Sequence, residues 1–398
     1  MFRAKLWRSG FLAAFCGLSF VGAASADELI LRDGKAIVGR LVDDAPDAIE
    51  FEPEGGKAAK HPKSKVARVI VSYSKGRSAP AAADASVVMP AADAKGVIYE
   101  DRSLGAAFEM PKEWIRYAES KRGRLVMGGK KREEGELLVK ASWTLEELDP
   151  FVARVRKEEI GKLEGSVVKE EAAPAAAKLP QKRLLVDYKE GTAKKHRDYI
   201  FVRLPGRILT FMIEAPPAGA KFVKQKLEGA FASVAETEPE WALRYDQDGF
   251  GLAAQPEGSL LFKGFEMHKG AGGVEGRRYA WFSQKDVSFA IDVYTFESEP
   301  DAEAMKAWFA KEYENFTNVK VVSKGQATLG GMEAQTAVTE RDGENGKKHQ
   351  QRVTAFADGK RVFALEAYFF DTPKPADERA YDQLLAVFRT TGMARARK

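Results

Sequence analysis

Gly191-Thr192-Ala193-Lys194-Lys195-His196 returns further along the chain as Gly343-Glu344-Asn345-Gly346-Lys347-Lys348-His349, with one residue more between the first glycine and the lysine pair. Ten residues after each histidine stands a turn glycine, Gly206 or Gly359. An apolar strand follows each turn: Ile208-Leu209-Thr210-Phe211-Met212-Ile213 in one case, Val362-Phe363-Ala364-Leu365-Glu366-Ala367 in the other. Both strands lead to a helix-like segment with a terminal phenylalanine, residues 222–231 and 379–388. Working backwards, Tyr99-Glu100-Asp101, Leu104-Gly105 and Pro111 parallel Tyr245-Asp246, Phe250-Gly251 and Pro256. Each stretch also holds an amphipathic segment, residues 145–163 and 300–316. In the second, Ala304, Met305, Trp308, Phe309 and Tyr313 have the spacing of a buried helical stripe. Repetition on this scale predicts two homologous copies, residues 96–236 and 239–393. The order within each is strands, a helix, a strand meander and a closing helix, which predicts an α+β fold of antiparallel sheets packed with helices as α/β/α sandwiches.

The chain ahead of the repeat divides in three. Residues 1–26 carry Arg3, Lys5 and Arg8, an apolar run over residues 11–21, and Ala24-Ser25-Ala26 before Asp27. This is the pattern of a cleavable export signal, cut after Ala26, and the apolar run is too short to span a bilayer. Residues 27–72 read as short strands, with Asp33-Gly34 as a hairpin turn between Leu29-Ile30-Leu31 and the strand that starts at Ala36. So many strands in so few residues predict a small, strongly bent barrel. Residues 73–95, with Ser78-Ala79-Pro80-Ala81-Ala82-Ala83 and Pro90-Ala91-Ala92, have a linker's composition.

Two resemblances follow from these residues. Ile30-Leu31-Arg32-Asp33-Gly34-Lys35, with Gly39 in the next strand, resembles the opening of Src-homology-3-like or Sm-like small barrels found in exported bacterial proteins. Tyr99-Glu100-Asp101, Leu104-Gly105-Ala106-Ala107-Phe108-Glu109-Met110-Pro111 and Trp114 resemble the opening strand and turn of the PsbP-like family, and Gly229-Ala230-Phe231-Ala232-Ser233-Val234 resembles its closing segment. The second copy keeps Pro256 but has Ser259 where Trp114 would fall. The resemblance implies an antiparallel sheet between helices and an accessory, partner-binding role; its motifs are structural, not catalytic.

Composition narrows the chemistry. The chain has 398 residues, one cysteine, four histidines and a formal charge of +5. Cys16 lies in the signal, so the mature chain offers neither a disulfide framework nor a cysteine nucleophile. Without residues 1–26 the charge falls to +2, which gives no case for nucleic acid. No Gly-x-Ser-x-Gly elbow is present, and Gly270-Ala271-Gly272-Gly273-Val274-Glu275-Gly276 lacks the Lys of a phosphate loop and reads as a hairpin loop. The adjacent acids Glu133-Glu134, Glu146-Glu147 and Glu158-Glu159 read as solvated faces. His61 reads as an exposed turn residue, and His268 has no supporting partners. Neither a cofactor nor a metal is expected.

Two features remain as candidates. Lys194, Lys195, His196, Lys347, Lys348 and His349 form two basic hairpin tips that could hold an anion, although charged tips also serve to block edge pairing. The aromatics Trp281-Phe282, Tyr294, Phe296 and Tyr368-Phe369-Phe370 alternate as a buried sheet requires and are expected in the core. The expectation is a non-catalytic exported binding or assembly module of the periplasm or cell envelope, with a protein or small-ligand partner, no nucleic acid and no transmembrane anchor once the signal is cut. The alternative is a hydrolase or other enzyme with a composite site between the copies.

Overall fold

The computed structural model describes residues 26–73, 96–129, 135–174, 176–215, 227–254, 261–282, 287–315, 318–343 and 346–390. The expected signal core, the linker after residue 73, residues 222–226 of the first closing helix, Pro256, Ser259 and Glu133-Glu134 lie outside them.

The N-terminal strands are β1 (Asp27–Leu31), β2 (Ala36–Asp44), β3 (Ala48–Pro53), β4 (Ala59–Pro62) and β5 (Val66–Val71). The Asp33 carboxylate accepts from Lys35 N at 3.0 Å and closes the β1–β2 turn. Gly39 is required where β2 passes β3, because a Cβ there would stand 2.0 Å from the Glu52 carbonyl oxygen. A 3-10 turn, Lys63–Lys65, links β4 to β5 and buries Lys63, whose ammonium sits 2.7 Å from Asp44 and donates to Trp114 O at 2.7 Å. Burial pushes the Lys63 pKa down, against the pull of Asp44. His61 is half-buried in β4 opposite Ile49, not an exposed turn residue, because β4 extends the ladder to Pro62.

Strands β6 (Gly96–Asp101) and β7 (Ala106–Pro111) continue the same sheet through a parallel β5–β6 pair. Leu29, Phe51 and Val69 consequently share one core with Val97, Phe108, Trp114 and Phe211. Each such side chain fully withdrawn from water contributes about 1.5–3 kcal/mol.

Next come β8 (Ile115–Arg116), β9 (Arg124–Gly128), β10 (Glu136–Trp143), helix α1 (Leu148–Glu158), β11 (Val167–Glu171), β12 (Gln181–Glu190), β13 (Ala193–Leu204), β14 (Arg207–Ala215) and β15 (Ala235–Glu236). After these lie β16 (Leu243–Tyr245), β17 (Phe250–Leu252), β18 (Leu261–Lys269), β19 (Glu275–Phe282), β20 (Val287–Thr295), α2 (Ala302–Phe309), β21 (Lys320–Leu329), β22 (Met332–Asp342), β23 (Lys348–Asp358), β24 (Arg361–Phe369), α3 (Pro375–Val387) and β25 (Phe388–Thr390). The Asp301 carboxylate caps α2 by accepting from Ala304 N at 2.8 Å, and Met305, Trp308 and Phe309 form its buried stripe. Pro375 starts α3, and Asp377 accepts from Lys374 N at 2.9 Å.

Two seven-stranded antiparallel sheets result. One runs β11-β12-β13-β14-β10-β9-β8; the other, read from its far edge, runs β21-β22-β23-β24-β20-β19-β18. The orders correspond strand for strand. Outside each sheet, a short hairpin pairs with the strand that closes the stretch, β7 with β15 and β17 with β25. Each sheet packs its mid-sequence helix on one face: α1 against Tyr199 and Phe201, α2 against Val353 and Ala355. The opposite faces hold the larger cores. Strands predominate, helices are few and the two seven-stranded sheets are antiparallel, which is compatible with an α+β fold.

The two stretches touch through Trp143 at the end of β10. Its ring belongs to the second core, with the guanidinium groups of Arg207 and Arg389 at 5.2 and 5.4 Å. Glu240, just ahead of β16, accepts from Tyr73 N at 2.9 Å, Ser72 Oγ at 2.8 Å and Arg122 Nη1 at 2.7 Å. Among the described residues no helix is long and apolar enough to cross a membrane.

Candidate functional site

Helix α2 covers only part of its face of the second sheet. Side chains alternate along each strand, so Thr339, Gln351, Glu366, Tyr368, Asp292 and Arg278 share that face. Beyond the helix, Thr339, Gln351, Tyr368 and Arg278 line a cavity of about 590 Å³, whose lining runs from Glu266 to Phe370. Its floor is a built polar cluster. Arg278 donates to Asp292 at 2.8 and 2.5 Å and to Glu366 at 3.2 Å. The Gln351 amide donates to Glu366 at 3.2 Å and to the Tyr368 oxygen at 2.9 Å. Tyr368 and Tyr313 also donate to Glu366, the second at 2.8 Å.

Glu366 and Asp292 are both 0 % exposed. Burial, then the neighbouring Asp292 carboxylate, lifts the Glu366 pKa to about 8 against the charge of Arg278. The raised pKa favours the protonated form of Glu366 at neutral pH, which limits the charge that the floor carries. Burial works against the Arg278 charge, but its hydrogen bonds to the Asp292 carboxylate and the charge of Glu366 hold its pKa above the usual arginine range. Burial also raises the Tyr368 and Tyr294 hydroxyls, which stay protonated as donors.

On one side of the cavity, His268 Nε2 lies 3.2 Å from the Tyr294 hydroxyl, which donates to Glu312 at 3.1 Å. Burial, then the charge of Arg278, lowers the His268 pKa and favours the neutral ring. At the rim, Arg341 and His349 stand opposite each other in the β22–β23 ladder. His349 meets Phe370 edge-on, with centroids 5.5 Å apart, and lies over Gly343, where a Cβ would come within 2.3 Å of its Nε2. A smaller cavity of about 270 Å³ continues past Arg341 toward Lys320 and Lys348.

The lysine–histidine groups are less alike than their sequences. Counted from the turns that join β13 to β14 and β23 to β24, Leu204 corresponds to Asp358, so His196 corresponds to Gln350, and Lys195 to His349. This one-residue offset puts His196 on the face with Ile200 and Val202, away from α1, whereas His349 is on the α2 face with Val353. The basic groups also have nearby acids. Lys195 lies 3.3 Å from Glu190 and 3.5 Å from Glu214, His196 Nδ1 2.8 Å from Asp187, and Lys347 3.1 Å from Asp371. Lys194 and Lys348 are exposed. Of the six, His349 alone lines the larger cavity and Lys348 the smaller.

The aromatics also divide. Trp281, Tyr294 and Phe369 are buried as expected, but Tyr368 and Phe370 line the cavity, and Phe370 is 38 % exposed. The reason is the limited reach of α2, which leaves the β24 end of the face uncovered. His268 does have partners here. Sequence reasoning passed over Arg278, Asp292, Gln351, Glu366 and Arg341. A signal for two of them was available: Asp292 and Glu366 each interrupt an otherwise apolar strand, and a carboxylate there must be satisfied by partners from other strands. Among the described residues no group of three or more His, Cys, Asp or Glu could hold a metal ion.

No family model matches the chain, and no curated protein matches it. Among solved structures it is similar to a protein of Bacteroides thetaiotaomicron VPI-5482, at 8% identity over 44% of this chain and 54% of that one, with a TM-score of 0.28. The chain thus spans about half the length of that structure. It is also similar to the cyanobacterial PsbP of Synechocystis sp. PCC 6803, at 17% identity over 36% of this chain and 94% of that one, TM-score 0.26. A third is the T6SS immunity protein TplEi of Pseudomonas aeruginosa, at 10% identity over 70% and 99%, TM-score 0.22. All three TM-scores lie below 0.5, and the fold described above rests on the chain's own strand order.

Proposed function

We propose that the chain is an exported, non-catalytic binding module of the periplasm or cell envelope, with a small barrel over residues 27–72 and PsbP-like copies over 96–236 and 239–393, and that it holds a small polar ligand in the cavity of the second copy. The composition of residues 1–26 supports export. The order β5-β1-β2-β3-β4, with a 3-10 turn between β4 and β5, supports the small barrel. The matching order of the two seven-stranded sheets supports duplication.

The observation that carries the ligand reading is the cavity floor. Six side chains from four strands and the turn after α2 satisfy one another around Glu366, and Gln351, Tyr368 and Arg278 line the cavity wall. Such a preordered polar wall beside aromatics suits a ligand of a few hundred Å³. The enzyme reading, with a composite site between the copies, receives less support. The cavity is lined within residues 266–370, and Glu366, whose pKa is displaced, is sealed beneath its own donors and cannot touch a substrate.

Native mass spectrometry of the full chain purified from its own envelope tests the reading. The expected result is a bound small molecule that is lost in Gln351→Trp, which fills the cavity, while the melting temperature changes little. A chain that carries nothing and shows no thermal shift with any member of a polar metabolite library would overturn it.

A further inference from the structure

The rim of this cavity is chemically unlike its floor. In the floor, Arg278 is committed to Asp292 and Glu366. Glu312 is likewise committed, accepting from Ala271 N and from the Tyr294 hydroxyl. At the rim, Arg341 has no hydrogen-bond or ion-pair partner among the described residues, and neither do the ring nitrogens of His349. The acids flanking Arg341 have basic neighbours of their own: Glu340 faces Lys320 in one ladder and Asp342 faces Lys348 in the other. The cavity face therefore offers an uncommitted guanidinium beside an imidazole, with Phe370 and Tyr368 next to them.

We propose that the cavity takes an organic anion, whose carboxylate or phosphate group is received by Arg341 and His349 and whose body lies against Phe370 and Tyr368, with its polar atoms toward the Gln351 amide. The inference rests on the cavity being the binding site. A guanidinium pairs with planar or tetrahedral oxyanions through two parallel N–H donors, and Arg341 is exposed at the rim where an incoming anion would meet it. His349 is fixed for the second contact, because Phe370 holds the edge of its ring and the absent side chain of Gly343 leaves it room. The lining also holds the carboxylates of Glu266 and Asp342, so the anion is placed at the Arg341–His349 side of the cavity and not in it at large.

Calorimetric titration of the full chain with benzoate, phenyl phosphate, inorganic phosphate and benzyl alcohol tests the assignment at low salt. Benzoate or phenyl phosphate is expected to bind at least about tenfold more tightly than benzyl alcohol, and the tighter of the two identifies the anionic group. Arg341→Ala is expected to weaken that binding about tenfold, or about 1.4 kcal/mol, with the melting temperature unchanged. Arg341→Lys should restore part of the loss, and His349→Ala should weaken binding less. Equal binding of benzyl alcohol, with no response to Arg341→Ala, would overturn the anion assignment and leave the cavity reading intact. Binding of none of the four probes would also overturn it, and the co-purification test with Gln351→Trp would then decide separately whether the cavity binds anything.

Discussion

The two seven-stranded sheets place different chemistry at corresponding positions. Where the second sheet has Glu366 and Asp292, the first has Met212 and Lys140; where the second has Gln351, Tyr368 and His349, the first has Arg197, Glu214 and Lys195. In the first sheet these groups close on one another. Arg197 donates to Glu214 at 2.9 Å and lies over the Tyr188 ring at 4.7 Å, with Lys195 at 3.5 Å from the same carboxylate. In the second sheet the acid is Glu366, two residues earlier in its strand, the donors turn toward it, and Gln351 and Tyr368 line a cavity. A common topology thus sets where a site can form, and a few polar side chains on one half-face decide whether it is plugged or open.

The largest way to break the comparison lies in the first sheet. Arg183 and Asp198, 2 % and 4 % exposed at their side chains, form a buried ion pair. Arg183→Ala should strand the Asp198 carboxylate and cost about 3–5 kcal/mol in urea unfolding; a loss below about 1 kcal/mol would show that water replaces the guanidinium. Next, Glu366→Met writes the first sheet's residue at this position into the second. The donors from Gln351, Tyr313, Tyr368 and Arg278 lose their acceptor, with an expected loss of about 1–3 kcal/mol, and a neutral result would mean that the floor is not under its control.

The third test reads pH. The folded pKa of Glu366, about 8, lies above the ordinary 4.5 of a free carboxyl, so the native state holds the proton more tightly than the unfolded chain. Its contribution to stability is full below about pH 4.5, falls as the pH rises, and is lost through about pH 8. Unfolding free energies measured from pH 5 to 9 should decline more steeply in the wild type than in Glu366→Gln, and parallel curves would place the titration elsewhere. The smallest effect is expected from Arg197→Gln, since its pair with Glu214 is partly exposed. Denaturation should register less than about 1 kcal/mol.

Much of this architecture could be read from the residues. The Asp33-Gly34 hairpin, the two amphipathic segments that became α1 and α2, and the two antiparallel meanders all follow from local rules, since turn chemistry and side-chain period act over a few residues. The candidate site was less legible. The repeated Lys-Lys-His drew attention to positions that the ladders offset by one residue, while Arg278, Gln351 and Arg341 looked like ordinary alternating polar residues. Glu366 was the readable clue, and its partners come from strands far apart in the chain.

The sequence by itself determined the strand and helix periods, the turns, the recurring motifs and the confinement of cysteine to position 16, because each is written in neighbouring residues or in composition. Tertiary structure decided which face each polar side chain occupies, how far α2 covers the second sheet, and that Arg341, His349, Gln351 and Glu366 meet around one cavity. The physical reason is the two-residue period of a strand. A slip of one position leaves the local pattern intact but carries every side chain to the opposite face, so long-range pairing alone fixes the outcome.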